Sequence, residues 1–137
     1  MNVTGPSTIY VDSGNLTLGT QSDLNITATS TTRIVLDGGN MTVGTQGDVN
    51  NQGVPKNLTI YSTGPTISLT TQTDFYGAIY APNADVTLTT QGEIFGSVSS
   101  KTINCGTQAA LHFDLALLNV SPVFQSSGVS SWQEITQ

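Results

Sequence analysis

The sequence predicts an all-β protein: a single-stranded right-handed parallel β-helix, or β-solenoid, of about five coils with a short C-terminal capping segment. Three observations carry that prediction. One phrase is written four times, as LTLGTQSDL, MTVGTQGDV, ISLTTQTDF and VTLTTQGEI. The Thr-Gln pairs, Thr20-Gln21, Thr45-Gln46, Thr71-Gln72, Thr90-Gln91 and a fifth at Thr107-Gln108, are spaced by 25, 26, 19 and 17 residues, a slowly shrinking period. Around every pair the same apolar positions recur, which is what stacked strands need to form continuous core columns.

Taken in order, each repeat holds three short β-rich segments. The first is Ile9-Tyr10-Val11, Ile34-Val35-Leu36, Leu58-Thr59-Ile60-Tyr61 and Ala78-Ile79-Tyr80-Ala81, each ending at Gly, Asn or Pro. The second alternates apolar and polar: Leu16-Thr17-Leu18, Met41-Thr42-Val43, Ile67-Ser68-Leu69, Val86-Thr87-Leu88 and Ile103-Asn104-Cys105. Such alternation buries one face of a strand and wets the other. The third comes after the Thr-Gln corner and carries the column Leu24, Val49, Phe75, Ile94 and Leu111. Gly, Asn-Ala, Gly-Pro and Ala-Pro punctuate these runs as corners. An antiparallel sandwich could use strands of this length, but gives no reason for equivalent phrases at equivalent positions. In a parallel stack each residue sits about 4.8 Å above its counterpart, and like residues must match.

The 137 residues fit one domain, 1–137, with coils over 1–108 and a capping segment and tail over 109–137. Nine acids face only Arg33, Lys56 and Lys101, a formal charge of -6, so a nucleic-acid backbone would be repelled. Charged residues are 9% of the chain, and a polar surface of Thr, Ser, Asn, Gln and Gly is more usual in secreted or surface β proteins. The single Cys105 can form no internal disulfide. No signal peptide or apolar helix is present, so Met1 either starts a soluble protein or begins a piece of a longer one. The sequons at Asn15, Asn40 and Asn57 arise from the repeat itself and are read as structural.

Four features invite chemistry. At the corners, Thr and Gln can pair with the same side chain one layer up, which satisfies polar groups along a stack. An ice-binding face would need a regular Thr array, and the column Thr17, Thr42, Ser68, Thr87, Asn104 is interrupted. The acidic column Asp23, Asp48, Asp74 and Glu93 would repel itself unless splayed, protonated or bridged by calcium, whereas an Asp after a turn is commonly held by backbone amides. Turn chemistry is the expectation, and no metal or other cofactor is assigned.

Asp12 and Asp37 occupy the equivalent phrases VDSGN and LDGGN and should lie in adjacent layers, as an acid–base pair of a polysaccharide-cleaving solenoid would. The third layer offers Ser62 and the fourth Ala81 instead, and no stacked aromatic groove is evident beside them. His112, the lone histidine, stands near Asp114 without a Ser or Cys nucleophile, since Cys105 should point inward. It is expected at the surface of the closing segment, where Leu111, Leu115 and Leu118 at helical spacing predict a short helix or tightly folded strand across the last coil. Trp132 is expected as an anchor of the tail. The insertions Asn25 to Thr32 and Asn50 to Lys56 are expected to protrude. No catalytic residue is assigned.

Residues 75–118, FYGAIYAPNADVTLTTQGEIFGSVSSKTINCGTQAALHFDLALL, carry a resemblance. Phe75, Gly77, Ile79, Tyr80, Ala81, Pro82, Asn83 and Ala84 match an F-x-G-x-I-Y-A-P-x-A phrase. Phe95, Gly96 and Val98 match a Y/F-G-x-V strand, and His112, Phe113, Asp114, Ala116 and Leu117 match a closing H-Y/F-D-x-A-L phrase. The chain thereby resembles the C-terminal domain of bacterial PilX-like pilus assembly proteins, and the first phrase is also similar to bacterial surface adhesin domains. The resemblance implies a non-enzymatic structural or adhesive ectodomain of a pilus-assembly or cell-surface protein, extracytoplasmic at the cell surface, pilus or periplasm. Its implied partners are other pilus or envelope proteins and surface glycans. It implies membrane attachment only through a segment outside this chain, and self-association through an open solenoid end is a further expectation. The alternative is a polysaccharide-binding or polysaccharide-cleaving β-helix using Asp12 and Asp37.

Overall fold

A computed structural model describes residues 1–70, 74–89 and 92–119, together with the backbone but not the side chains of Asn50 and Asn119. The chain is all-β, with 59% strand and almost no helix. In order the strands are β1 (Asn2–Val3), β2 (Ser7–Asp12), β3 (Leu16–Leu18), β4 (Asp23–Ile26), β5 (Thr32–Asp37), β6 (Met41–Val43) and β7 (Asp48–Asn50). A 3₁₀ turn, Pro55–Asn57, leads to β8 (Leu58–Ser62), β9 (Thr66–Leu69), β10 (Phe75–Leu88), β11 (Glu93–Cys105) and β12 (Ala110–Phe113), and Leu115–Asn119 forms a second 3₁₀ turn.

Among the described strands every pairing is parallel. The main sheet runs β2-β5-β8-β10-β9-β6-β3, with β11 on β10 and β12 on β11; β1-β4-β7 forms a smaller one. The first half of the long β10 pairs with β8 and its second half with β9, so one bent strand joins two faces of a nearly closed, barrel-like sheet. Partner residues differ by the sequence period. Ile9 pairs with Ile34, Ile34 with Ile60, and Ile60 with Ile79, offsets of 25, 26 and 19. The last shortening has a location: β10 and β11 pair at an offset of 19 up to Ala81–Ser100 and of 17 from Asp85–Thr102, with the shift at Pro82-Asn83-Ala84.

The core is these columns. Met41, Ile67 and Val86 stack and are fully buried, and Ile34, Ile60 and Ile79 do the same on the neighbouring face. Leu18, Val43, Leu69, Leu88 and Cys105 form one column in register. Only its middle is dry: Leu18 is half-buried and Cys105 is exposed, not inward and covered as expected. The reason is the extent of β12, which covers only Glu93–Gly96 of β11, so Ile103 and Cys105 have Val86 and Leu88 on one side and no described strand on the other.

The Thr-Gln corners are tight turns. In the three described corners the residue after Gln donates its N–H back to the carbonyl of the Gly before Thr: Ser22 to Gly19 at 3.2 Å, Gly47 to Gly44 at 2.9 Å and Ala109 to Gly106 at 3.2 Å. Gln21, Gln46 and Gln108 sit there at φ of 61°, 61° and 66°, the position a type II turn assigns to φ > 0. Thr71-Gln72 and Thr90-Gln91 lie outside the described residues.

One further expectation changes, and one is decided between its alternatives. The insertions do not simply protrude: Ser30, Thr32 and Asn51 within them are buried, Ser30 sharing a hydrogen bond with the Thr27 hydroxyl and Asn51 donating to the Tyr76 carbonyl, while Asn57, just beyond the second insertion, is buried and donates to the Ala28 carbonyl at 2.7 Å. The closing segment is a strand and then a 3₁₀ turn. Pairing of Leu111 with Ile94 continues the repeat and overrides the helical spacing, which leaves Leu115 and Leu118 exposed. Trp132 and residues 120–137 lie outside the described residues.

Candidate functional site: an interrupted tyrosine column

Strands β2, β5, β8 and the first half of β10 turn Ile9, Ile34, Ile60 and Ile79 toward the core, so the period of two turns the next residue of each strand outward. These are Tyr10, Val35, Tyr61 and Tyr80, one column in register. Tyr10 and Tyr80 are 59% and 48% exposed, while the Tyr61 and Tyr80 rings meet at 6.2 Å between centroids with a tilt of 56°. Val35 breaks the column. Two strand spacings, roughly 9 to 10 Å, therefore separate the strands carrying Tyr10 and Tyr61, with only an isopropyl group between. A groove of about 250 Å³ opens there, lined by Tyr10, Val35, Asp37, Tyr61, Thr63 and Tyr80.

One rim of the groove is acidic and organised. Asp12 and Asp37 are register partners, as the equivalent phrases predict. Tyr10 donates its O–H to Asp37 Oδ2 at 3.1 Å and Thr63 donates to Asp37 Oδ1 at 3.0 Å. The Gly38 N–H in turn donates to Thr63 Oγ at 2.8 Å, and Ser13 donates to Asp12 Oδ1 at 2.8 Å. Next along the column stands Thr63, not Ser62, whose side chain is buried. The bond to Asp37, and then that carboxylate's charge, holds the Tyr10 phenol above its ordinary pKa, as a donor. The rim rests on a glycine column. A Cβ on Gly39 would lie 1.5 Å from the Gly14 carbonyl oxygen, and one on Gly64 would lie 1.8 Å from that of Gly39, so backbone packs on backbone at this corner.

These tyrosines correct the expectation that no aromatic groove accompanies Asp12 and Asp37. The signal was present: the residue after each inward Ile is Tyr in three layers of four.

A second ring column crosses β10, β11 and β12, four residues along β10 from Tyr80. Tyr76, Phe95 and His112 are register partners and stack face to face, with centroids 4.9 and 4.6 Å apart and planes within 11°. His112 is exposed, as expected, but its Nε2 lies 3.1 Å from Glu93 Oε2, so its acidic partner is Glu93; Asp114 instead accepts the Ala116 N–H at 2.8 Å. Burial first, then the charges of Asp74 and Glu93, raise the Tyr76 phenol. Of the acidic column, Asp23 and Asp48 pair in register, and Asp74 accepts the Glu93 N–H at 3.3 Å. Among the described residues no three His, Cys, Asp or Glu side chains gather as a metal site would require.

The groove is thus a shallow, aromatic, acid-rimmed surface built on stacked parallel strands. No curated protein and no solved structure matches the chain. Residues 2–120, most of the repeat array and β12, match one family along their length, and the chain belongs to that family, described as Domain of unknown function (DUF7305).

Proposed function

We propose that the chain is a right-handed parallel β-helix of about five coils that serves as the non-enzymatic structural and adhesive ectodomain of a pilus-assembly or cell-surface protein. The observation that carries this reading is the contrast between uniform parallel register inside and a varied, exposed face outside. Stacking in continuous parallel register makes a stiff rod in which each layer contacts only its neighbours. The outward column carries no burial requirement, and exposed tyrosines are enriched at surfaces that bind partners. The resemblance of residues 75–118 to PilX-like domains, and the small complement of charged residues, favour an extracytoplasmic location.

The polysaccharide-cleaving alternative is less well supported. Asp12 and Asp37 flank the same rim in adjacent layers and do not face each other across a cleft, whereas glycosidic cleavage places its two carboxyl groups on either side of the bond. Asp37 is also engaged by two hydroxyl donors. Surface fractionation of the producing cell tests the proposal. The protein should be reached by antibody on intact cells and recovered with sheared surface material, and beads coated with the purified chain should adhere to those cells without releasing reducing ends from polysaccharides. Confinement to the cytosolic fraction, or release of reducing ends that Asp12→Asn abolishes, would overturn it.

A further inference from the structure

The interrupted tyrosine column has the composition of a receptor for positive charge. Tyrosine faces attract cations through their ring quadrupoles, and the attraction is strongest when a carboxylate completes the site. Here the rings of Tyr10, Tyr61 and Tyr80 surround a Val35 floor, and Asp37 stands at one end with Asp12 one layer away. We propose that the slot between Tyr10 and Tyr61 receives the guanidinium or ammonium group of an arginine or lysine presented by a protein partner, its alkyl stem lying over Val35. The inference deepens the adhesive reading and rests on it.

Three arguments select this occupant. The chain's charge of -6, with only three basic residues, attracts a cationic surface from a distance and repels an anionic one. At about 250 Å³, the open groove is smaller than the enclosed pockets that hold free small molecules, so a group seated here needs further contacts from the body that carries it. Tyrosine and arginine are both enriched among the residues that anchor interfaces, and such anchors tend to meet one another across them. One feature opposes the cation: Arg33 lies two residues before Val35 on β5 and is exposed on the same face. It supplies a sign test.

The experiment uses the full chain and a short arginine-containing peptide, with its citrulline counterpart, isosteric but neutral, as control. Binding is read from ring-proton chemical shifts of Tyr10 and Tyr61, with Phe95 shifts reporting that each variant is folded. The arginine peptide should bind and the citrulline peptide should be at least tenfold weaker. Asp37→Asn and Tyr61→Ala should each weaken arginine binding about tenfold, Arg33→Gln should strengthen it severalfold, and Asp23→Asn, the same charge change away from the groove, should leave it within twofold. Equal loss from Asp23→Asn and Asp37→Asn would mean diffuse charge attraction and would overturn the site. So would equal binding of the two peptides, or maltohexaose shifting the tyrosines where arginine does not, which would assign the groove to a neutral saccharide. Cell adhesion that survives Tyr61→Ala while peptide binding is lost would leave the adhesive rod standing on another face. Adhesion lost with a folded chain and intact peptide binding would instead strike at that reading alone.

Discussion

The molecule carries two columns of rings on parallel strands, and they differ by one residue. In Tyr76–Phe95–His112 each layer supplies a ring, and the faces close on one another at 4.6 to 4.9 Å. In Tyr10–Val35–Tyr61–Tyr80 the second layer supplies an isopropyl group, and a groove opens. Strand spacing alone brings rings in consecutive layers near stacking distance, so a complete column satisfies itself and adds cohesion. A column with a missing ring leaves a groove beside the rings that remain. Repeat register thus converts a substitution at one position into a binding surface, with no change of backbone.

The largest expected effect tests whether the acid rim depends on its backbone support. Gly39→Ala forces a methyl group into the Gly14 carbonyl, a clash with main chain that no rotamer relieves. It should cost about 3 kcal/mol, at the upper end of overpacking, and displace Asp37 from Tyr10 and Thr63. Urea unfolding measures the cost, and the Tyr76–Phe95 ring shifts should stay in place while those of Tyr10 move. Movement of both ring columns together would mean that they are not independent.

Next come the rings themselves. Phe95→Ala removes two stacked contacts at once and should cost about 2 kcal/mol, whereas Tyr61→Ala removes one tilted contact and should cost about 1 kcal/mol. The ordering matters more than either value. If the denaturation midpoint falls further for Tyr61→Ala than for Phe95→Ala, the groove is the cohesive column and the comparison is inverted.

Val35→Tyr converts one column into the other. A fourth tyrosine should fill the slot, gain about 0.5 to 1 kcal/mol through new ring contacts, and abolish arginine-peptide binding. Loss of stability with the slot still open would show that the layer spacing cannot accept a ring there.

The inner columns were legible in the sequence because two signals agreed, alternation of period two and a repeated offset. Ile9, Ile34 and Ile60 needed nothing more to be placed in one stack, and the offsets of 25, 26, 19 and 17 return as strand pairings. The groove was not legible, although Tyr10, Tyr61 and Tyr80 sit one position beyond those isoleucines. An outward column has no burial requirement to keep it uniform, so Val35 in the second layer hid the other three. The exposure of Cys105 and Leu111 was also hidden, since a repeat pattern states which residues stack but not where the stack stops. The closing segment left helix and strand open for a related reason: Leu111, Leu115 and Leu118 fit a helix, and only the pairing of Leu111 with Ile94 decides for the next strand layer.

The smallest effect separates the two columns by how their tyrosines hold a proton. Tyr10 is raised chiefly by its hydrogen bond to Asp37 and then by that carboxylate's charge, Tyr76 chiefly by burial and then by Asp74 and Glu93. Both folded values lie above the unfolded value of about 10. A raised phenol binds its proton more tightly in the folded chain, so its contribution to stability is complete below the unfolded value and is lost as pH rises through the folded one. Asp37→Asn removes the charge and one strong acceptor from Tyr10 and touches nothing near Tyr76. Following each ring's phenolate by NMR above pH 9, the Tyr10 midpoint should fall toward the ordinary tyrosine value while that of Tyr76 stays where it was. An unmoved Tyr10 midpoint would mean that the phenol and Asp37 do not hold each other in solution, and the slot would then lack the fixed wall on which its selectivity for a cation depends.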